Sequence, residues 1–197
     1  KSFIPYNSRF VEIDISAYHP SLAARLINYD FPTVDIHGHF ASLYNVDRGK
    51  AKELTFKQLY GGVFENYKEL EFFKKIEEYI NNKWNSFKEN GFIKCSVSRF
   101  IYTDENLDNM KPQKLFNYIL QNLETSTNAL ILWEIFRLLR GCKSKLVLYT
   151  YDSFLLDLCD EEEHILQDIR KVFKEFKLNI KEKQGYDYSF AETGQYV

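Results

Sequence analysis

In the run Arg48-Gly-Lys-Ala-Lys52-Glu-Leu-Thr-Phe56-Lys-Gln-Leu-Tyr60-Gly61, two cations and then two aromatic rings recur at every fourth position. That spacing constrains the backbone. On a helix each four-residue step overshoots a full turn by about 40°, so Arg48, Lys52, Phe56 and Tyr60 fall in a shallow spiral on one side. The spacing predicts a helix over 48–61 with cations at its N-terminal end and rings at its C-terminal end. Cations attract phosphates and rings stack on bases, so one helix side could hold a nucleotide. The ordinary alternative is a solvated face beside a core stripe.

Upstream, Val11, Ile13 and Ile15 alternate with Glu12, Asp14 and Ser16. This period of two predicts a strand over 10–16 with the polar set on one face. Later, Leu146-Val-Leu-Tyr-Thr-Tyr151-Asp152-Ser-Phe-Leu-Leu-Asp157 has two apolar runs broken by polar residues, which predicts a hairpin over 145–150 and 153–158 with an acid at its tip. Alone, Asp14 is equally a strand-end residue bonded to a loop. Asp152 is equally a turn former.

Together these segments resemble motifs of family-A DNA polymerases, the bacterial DNA polymerase I group. The run from Arg48 to Gly61 matches the family's motif B at every characteristic position. Asp35-Ile36-His37 is similar to the Asp-Ile-His segment leading into the same fingers helix. The strand ending near Asp14, with Ser16 two positions on, resembles motif A, and Tyr151-Asp152-Ser153 resembles motif C. Between them, Glu89 to Arg99 is similar to the segment ending in Gly-Arg-Arg, and Asn117 and Gln121 match residues before the long palm helix. Gly185 is similar to a C-terminal turn residue.

The resemblance implies a template-directed DNA polymerase that adds deoxynucleotides to a primer 3′-end by two-metal-ion chemistry. Two divalent metals about 3.5–4 Å apart can activate the attacking oxygen and stabilise the leaving one. Hard cations want oxygen ligands. The implied cofactor is Mg²⁺, two ions, with Mn²⁺ as a substitute; its ligands would be Asp14, Asp152 and the Ile15 carbonyl. Arg48 and Lys52 would hold the triphosphate, with Lys52 also protonating the leaving pyrophosphate. Ile15, Ser16 and His37 would complete nucleotide binding; for His37 a structural histidine is an equal reading. Phe56 would pack on the incoming sugar and base and discriminate against nucleotides lacking the 3′-hydroxyl. Tyr60 would stack near the templating base, unless it is a core ring. Arg99, Asn117, Gln121 and Tyr151 would contact primer–template DNA.

Four positions depart from the family pattern, the first being Tyr151, which stands where motif C carries a His that contacts the primer end. His19 stands where a Glu usually blocks the ribose 2′-hydroxyl, and its charge depends on pH near neutrality. Ser153 stands where motif C carries a Glu, which leaves two principal carboxylates. Lys57 replaces a Gly and stiffens the helix, on what reads as a solvated face. Tyr18-His-Pro-Ser21 also resembles an element of family-B polymerases, but the complete motif B argues for family A. The short Asp35–Arg48 interval implies compact fingers of the kind found in phage and organelle lineages. An alternative function is a non-catalytic nucleic-acid-binding or scaffold module on a polymerase fold.

At 197 residues with 45% hydrophobic content the chain can bury a real core. Its net charge of −2 is unlike a generic nucleic-acid binder. Cys95, Cys142 and Cys159 lack CxxC spacing, which suggests free thiols in a reducing compartment. No run is long and apolar enough to span a membrane. An intracellular, cytoplasmic location follows, including a phage-infected cell or an organelle. The chain begins almost at motif A, so an upstream thumb and a possible exonuclease are expected in a longer protein.

Periodicity fills in the remainder. Helices are expected over 20–29, 36–45, 66–89, 112–140 and 162–177, the last capped by Asp160. Strands are expected over 92–101 and 178–183. The fold class is α+β, an antiparallel palm sheet backed by helices with a compact helical fingers insertion. The spans are 1–30 palm, 31–91 fingers and 92–197 palm.

Overall fold

The computed structural model describes residues 3–103 and 109–190. The outer ends of the expected first and last spans, and residues 104–108 within the last, lie outside the described residues. The strands are β1 (Arg9–Ile15), β2 (Phe92–Lys94), β3 (Ile101–Thr103), β4 (Lys145–Thr150), β5 (Ser153–Leu158) and β6 (Ile180–Gly185). The helices are α1 (Tyr18–Leu26), α2 (Ile36–Tyr44), α3 (Arg48–Gly61), α4 (Glu71–Asn90), α5 (Pro112–Leu138) and α6 (Glu163–Glu175). The chain divides into two compact units. One runs to Tyr18 and resumes at Thr127; the other is His19–Ser126.

The first unit is built on an antiparallel sheet of order β4-β5-β1-β6. The α+β class therefore holds. β5 is buried from Phe154 to Leu158, as a central strand without polar alternation should be. β1 buries Val11, Ile13 and Ile15 and leaves Glu12 and Asp14 partly open, which is the alternation legible in the sequence. Helix α6 buries Ile165, Leu166, Ile169, Val172 and Phe173. The Phe173 ring meets Phe154 edge-on at 5.3 Å. Arg170 on α6 donates two hydrogen bonds of 2.6 Å to Glu182 on β6, whose side chain is 6% exposed. Removing one partner strands a buried charge. Arg170→Ala should lower unfolding free energy by about 2–4 kcal/mol, the low side of a buried-pair loss because Arg170 is partly exposed. Urea denaturation checks this, and a change below about 1 kcal/mol would show the pair to be solvated.

In the second unit α3 packs on α2 through buried polar side chains. Tyr44 Oη lies 3.2 Å from Thr55 Oγ1 and accepts from Gln58 Nε2 at 3.2 Å. Gln58 Oε1 accepts from the Phe64 N–H, so the chain beyond the helix is fixed too. Asp47 caps α3 by accepting from the Lys50 N–H. Helix α4 buries Phe72, Phe73, Ile76, Ile80 and Phe87, and Gly91 ends it at φ 72°.

Several expected boundaries differ. The single strand over 92–101 is instead the hairpin β2–β3. The Cys95 N–H donates to Phe100 O, and Arg99 turns the chain at φ 59°. Ser96, Val97 and Ser98 form a tight turn in place of the continuous strand that the sequence suggests. Asp160 does not cap α6; its carboxylate pairs with Arg9, and a short 3₁₀ turn over Asp160–Glu162 precedes the helix. Helix α4 starts at Glu71, after an extended Leu70. The last strand is shifted to Ile180–Gly185 because Lys177, at φ 56°, ends the preceding helical turn. Cys95, Cys142 and Cys159 are all free thiols. Among the described residues no helix is long and apolar enough to cross a membrane.

Candidate active site

The first constellation is a carboxylate pair. Asp14 lies one residue from the end of β1, opposite Ser153 on β5, and the Ile15 N–H donates to the Asp152 carbonyl at 2.8 Å. Two distant stretches of sequence thus meet at adjacent backbone positions. Burial, then the negative charges of Asp152 and Glu12, hold the Asp14 carboxyl above its ordinary range; Lys183 and Lys181 pull it down. Glu12 escaped the sequence reading as a site residue, although its alternation with Asp14 was the available signal. It accepts from Ser153 Oγ at 3.2 Å and Lys183 Nζ at 3.3 Å. Among the described residues no group of three His, Cys, Asp or Glu is arranged to hold a metal ion. Tyr151 is 79% exposed at the hairpin tip, and Ser16 Oγ is buried without a hydrogen-bond partner.

A raised carboxyl has a stability consequence. Asp14 contributes stability below its unfolded pKa and loses it as pH rises through the higher folded value. At neutral pH its charge opposes folding. Asp14→Asn, without divalent metal, should melt a few degrees above the parent at pH 7, with the gap closing toward pH 3. Thermal melts across that range would refute this if the variant melts lower at pH 7.

The second constellation is the exposed side of α3. The Lys52 ammonium lies 6.0 Å from the Phe56 ring centroid, and the Phe56 and Tyr60 rings lie parallel at 5.9 Å. An open groove of about 690 Å³ runs here, lined by Gly49, Lys52, Glu53, Phe56, Lys57, Tyr60 and Gly61. The predicted cation-then-ring order is present. Lys57 pairs with Glu53 at 2.6 Å, so it belongs to a charged, exposed edge. Arg48 is turned to Asp35, its Nε and Nη2 donating to Oδ1 at 3.1 and 3.0 Å. That guanidinium holds the Asp35 carboxyl below its usual range. Any Cβ at Gly38 would collide with the Asp35 carboxylate, so this arrangement needs glycine there. His37 is buried, its ring 6.0 Å from Phe56.

His19 bonds Tyr60 Oη through Nδ1 and Glu124 Oε2 through Nε2, the latter at 2.8 Å. A carboxylate only accepts, so Nε2 carries the proton, and a neutral ring then accepts from the Tyr60 hydroxyl at Nδ1. Burial and the Glu124 charge push the Tyr60 phenol up to about 12, so it remains a donor at neutral pH. Glu124 had no sequence signal, because its partner lies 105 residues away. Asn117 Nδ2 donates to the Tyr60 carbonyl at 3.0 Å, fixing the end of α3. Arg99 and Gln121 are exposed, Arg99 at the β2–β3 turn and Gln121 on α5.

The acid pair stands at the ends of the two inner strands β1 and β5, and the cation–ring face belongs to helix α3 of the other unit. The chain is 26% identical over 194 residues to DNA polymerase I of Caldicellulosiruptor bescii, a match covering 82% of this chain and 23% of that protein. Its fold matches the POL domain of Pol1 from M. smegmatis, a structure described as a complex with DNA primer-template and dNTP. That match has a TM-score of 0.77 at 14% identity and covers 96% of this chain and 41% of the other. This chain therefore spans about a quarter of the length of the first and about two fifths of the second. No protein-family model matches it. Sequence and fold together support a family-A polymerase region.

Proposed function

We propose that this chain is the palm and fingers part of a template-directed DNA polymerase, with palm spans 1–30 and 92–197 and fingers 31–91. The observation that carries the reading is the meeting of Asp14 and Asp152 through the Ile15–Asp152 backbone bond. The donor set fits hard divalent cations: two carboxylates and the Ile15 carbonyl are oxygen ligands, and Mg²⁺ readily keeps water and substrate phosphate in its remaining positions. Burial first, and then the charges of Asp152 and Glu12, raise the Asp14 carboxyl, and a bound cation would offset that penalty. When bound, a pair of Mg²⁺ or Mn²⁺ ions would lower the pKa of the primer 3′-hydroxyl and neutralise charge on the phosphates.

In the reaction the 3′-oxygen forms a bond to the α-phosphorus as the α–β phosphoanhydride bond breaks. The hydroxyl proton is lost to solvent, and the leaving pyrophosphate takes a proton from Lys52. Arg48 exchanges Asp35 for the triphosphate. Phe56 packs on the sugar and base, and Tyr60 stacks near the templating base. His37, Ile15 and Ser16 line the nucleotide. His19, held by Tyr60 and Glu124, would fill the space beside the ribose 2′-position where the family usually carries a Glu. Arg99, Asn117, Gln121 and Tyr151 bind primer–template DNA. Such an enzyme works inside the cell, beside DNA and nucleotide pools, and an upstream thumb would complete it.

The test is extension of a labelled primer by the full-length natural protein with Mg²⁺ and deoxynucleotides. Product that follows changes in template sequence and disappears with a chelator supports the reading. Absence of product, with duplex binding retained, would favour the binding-module alternative.

A further inference from the structure

We propose that Asn128 is the positioning residue for the carboxylate pair, pinning the backbone from which Asp152 departs. This rests on the reading of Asp14 and Asp152 as metal ligands. Asn128 lies within α5 and is 3% exposed. A buried carboxamide has two N–H donors and a carbonyl acceptor to satisfy. Its Oδ1 accepts from Tyr18 Oη at 2.7 Å, and its Nδ2 donates to Tyr149 Oη at 2.7 Å and to the Tyr151 carbonyl at 2.9 Å. Asn is a poor helix former, and an apolar residue would fill a buried helix position without needing three partners.

The geometry of those partners gives the network its meaning. Tyr151 immediately precedes Asp152, and Tyr18 follows Asp14 by four residues. Both connecting stretches pass through the left-handed region, Ala17 at φ 48° and Tyr151 at φ 50°. Such residues cost on the order of 1–3 kcal/mol and persist only where the surroundings hold them. The Tyr151 ring is exposed, so its packing does not hold the backbone. The Tyr151 carbonyl belongs to the peptide before Asp152, and Asn128 fixes it. The Asp152 carbonyl belongs to the peptide after, and the Ile15 N–H fixes that. Both peptide planes flanking Asp152 are thus tied, one to α5 and one to the strand carrying Asp14. Asn128 sets the direction in which the Asp152 carboxylate leaves the backbone, and through Tyr18 ties it to the segment leaving β1.

The experiment uses the full-length protein and two variants. Asn128→Asp keeps the shape and the Tyr18 acceptor but turns an oxygen toward the Tyr151 carbonyl. Asn128→Ala removes all three bonds with a better helix former, so it folds if Asn128→Asp does not. Tyr18→Phe is the control that leaves the Nδ2 bonds intact. Amide exchange over residues 148–155 and calorimetric binding of Mn²⁺ alone are measured beside primer extension. In the Asn128 variants the tip should exchange about 10-fold faster, Mn²⁺ should bind about 10- to 100-fold more weakly, and kcat should fall similarly with nucleotide KM little changed. Tyr18→Phe should stay within about 3-fold on tip exchange, because the bond that holds the tip is kept. Folded variants whose tip exchange or Mn²⁺ affinity equals the parent's overturn the proposal. Failure of the polymerase reading looks different: the parent binds no Mn²⁺, or Asp152→Asn leaves binding unchanged, and tip exchange still decides whether Asn128 holds the hairpin.

Discussion

Replacing Asp152 by Asn should lower templated primer extension by at least about 10³-fold, the rate equivalent of losing several kcal/mol of transition-state charge stabilisation. Asn is nearly isosteric, and position 152 is exposed in the two-residue turn between β4 and β5. The bond from the Ile15 N–H uses the backbone carbonyl, which the substitution keeps. Folding should therefore be intact while the proposed oxygen ligand is lost. The largest charge raising Asp14 also disappears, so its carboxyl should titrate nearer the ordinary range, with burial still holding it up. Activity is read as single-turnover extension with saturating Mg²⁺, beside circular dichroism. A variant within about 10-fold of the parent would remove Asp152 from the metal site, because loss of a true ligand costs more than that.

Lys52→Ala should lower kcat/KM for the incoming nucleotide by about 10²- to 10³-fold, since in its proposed role a charge-assisted phosphate contact and the leaving-group proton are lost together. Lys52 is exposed above the Phe56 ring, and no ion pair is formed by it among the described residues. Its charge is thus available to a ligand without first breaking a bond. Two neighbours provide the contrast. Lys57 is tied to Glu53, whose carboxyl falls to about 2 through Lys57 and Lys50, so Lys57→Ala should change kcat/KM by under about 3-fold. Arg48 must leave Asp35 before it can serve a phosphate. Steady-state kinetics with a single correct nucleotide separate these cases. Equal losses for Lys52→Ala and Lys57→Ala would mean that only general positive potential matters.

The helix over 48–61 was legible because a repeat of four has meaning only on a helix, and its observed bounds are Arg48–Gly61. The hairpin around Asp152 was equally legible, because two apolar runs flanking a polar break leave one economical backbone path. The strand carrying Asp14 was visible from its period of two and is displaced by a single residue. Boundaries set by turns were less visible. The β2–β3 turn depends on a left-handed Arg99 and a Cys95–Phe100 backbone bond, and no periodicity announces either. Helix caps misled for a related reason: Asp160 is a good capping residue by type, but Arg9 on another strand claims its carboxylate.

What the sequence alone determined, then, were the residues whose chemistry repeats with the local backbone: the cation–ring face of α3 and the acids at strand ends. Their meaning depends only on neighbours within a turn or a strand, which short-range geometry dictates. Tertiary structure decided the rest. It set Glu12 beside Ser153, closed His19 between Tyr60 and Glu124, and brought Asn128 to the Tyr151 carbonyl. Each of these contacts joins residues more than 20 positions apart. A single Glu or Asn carries no period, and its role comes into being only when packing excludes water and makes an unpaired polar group costly.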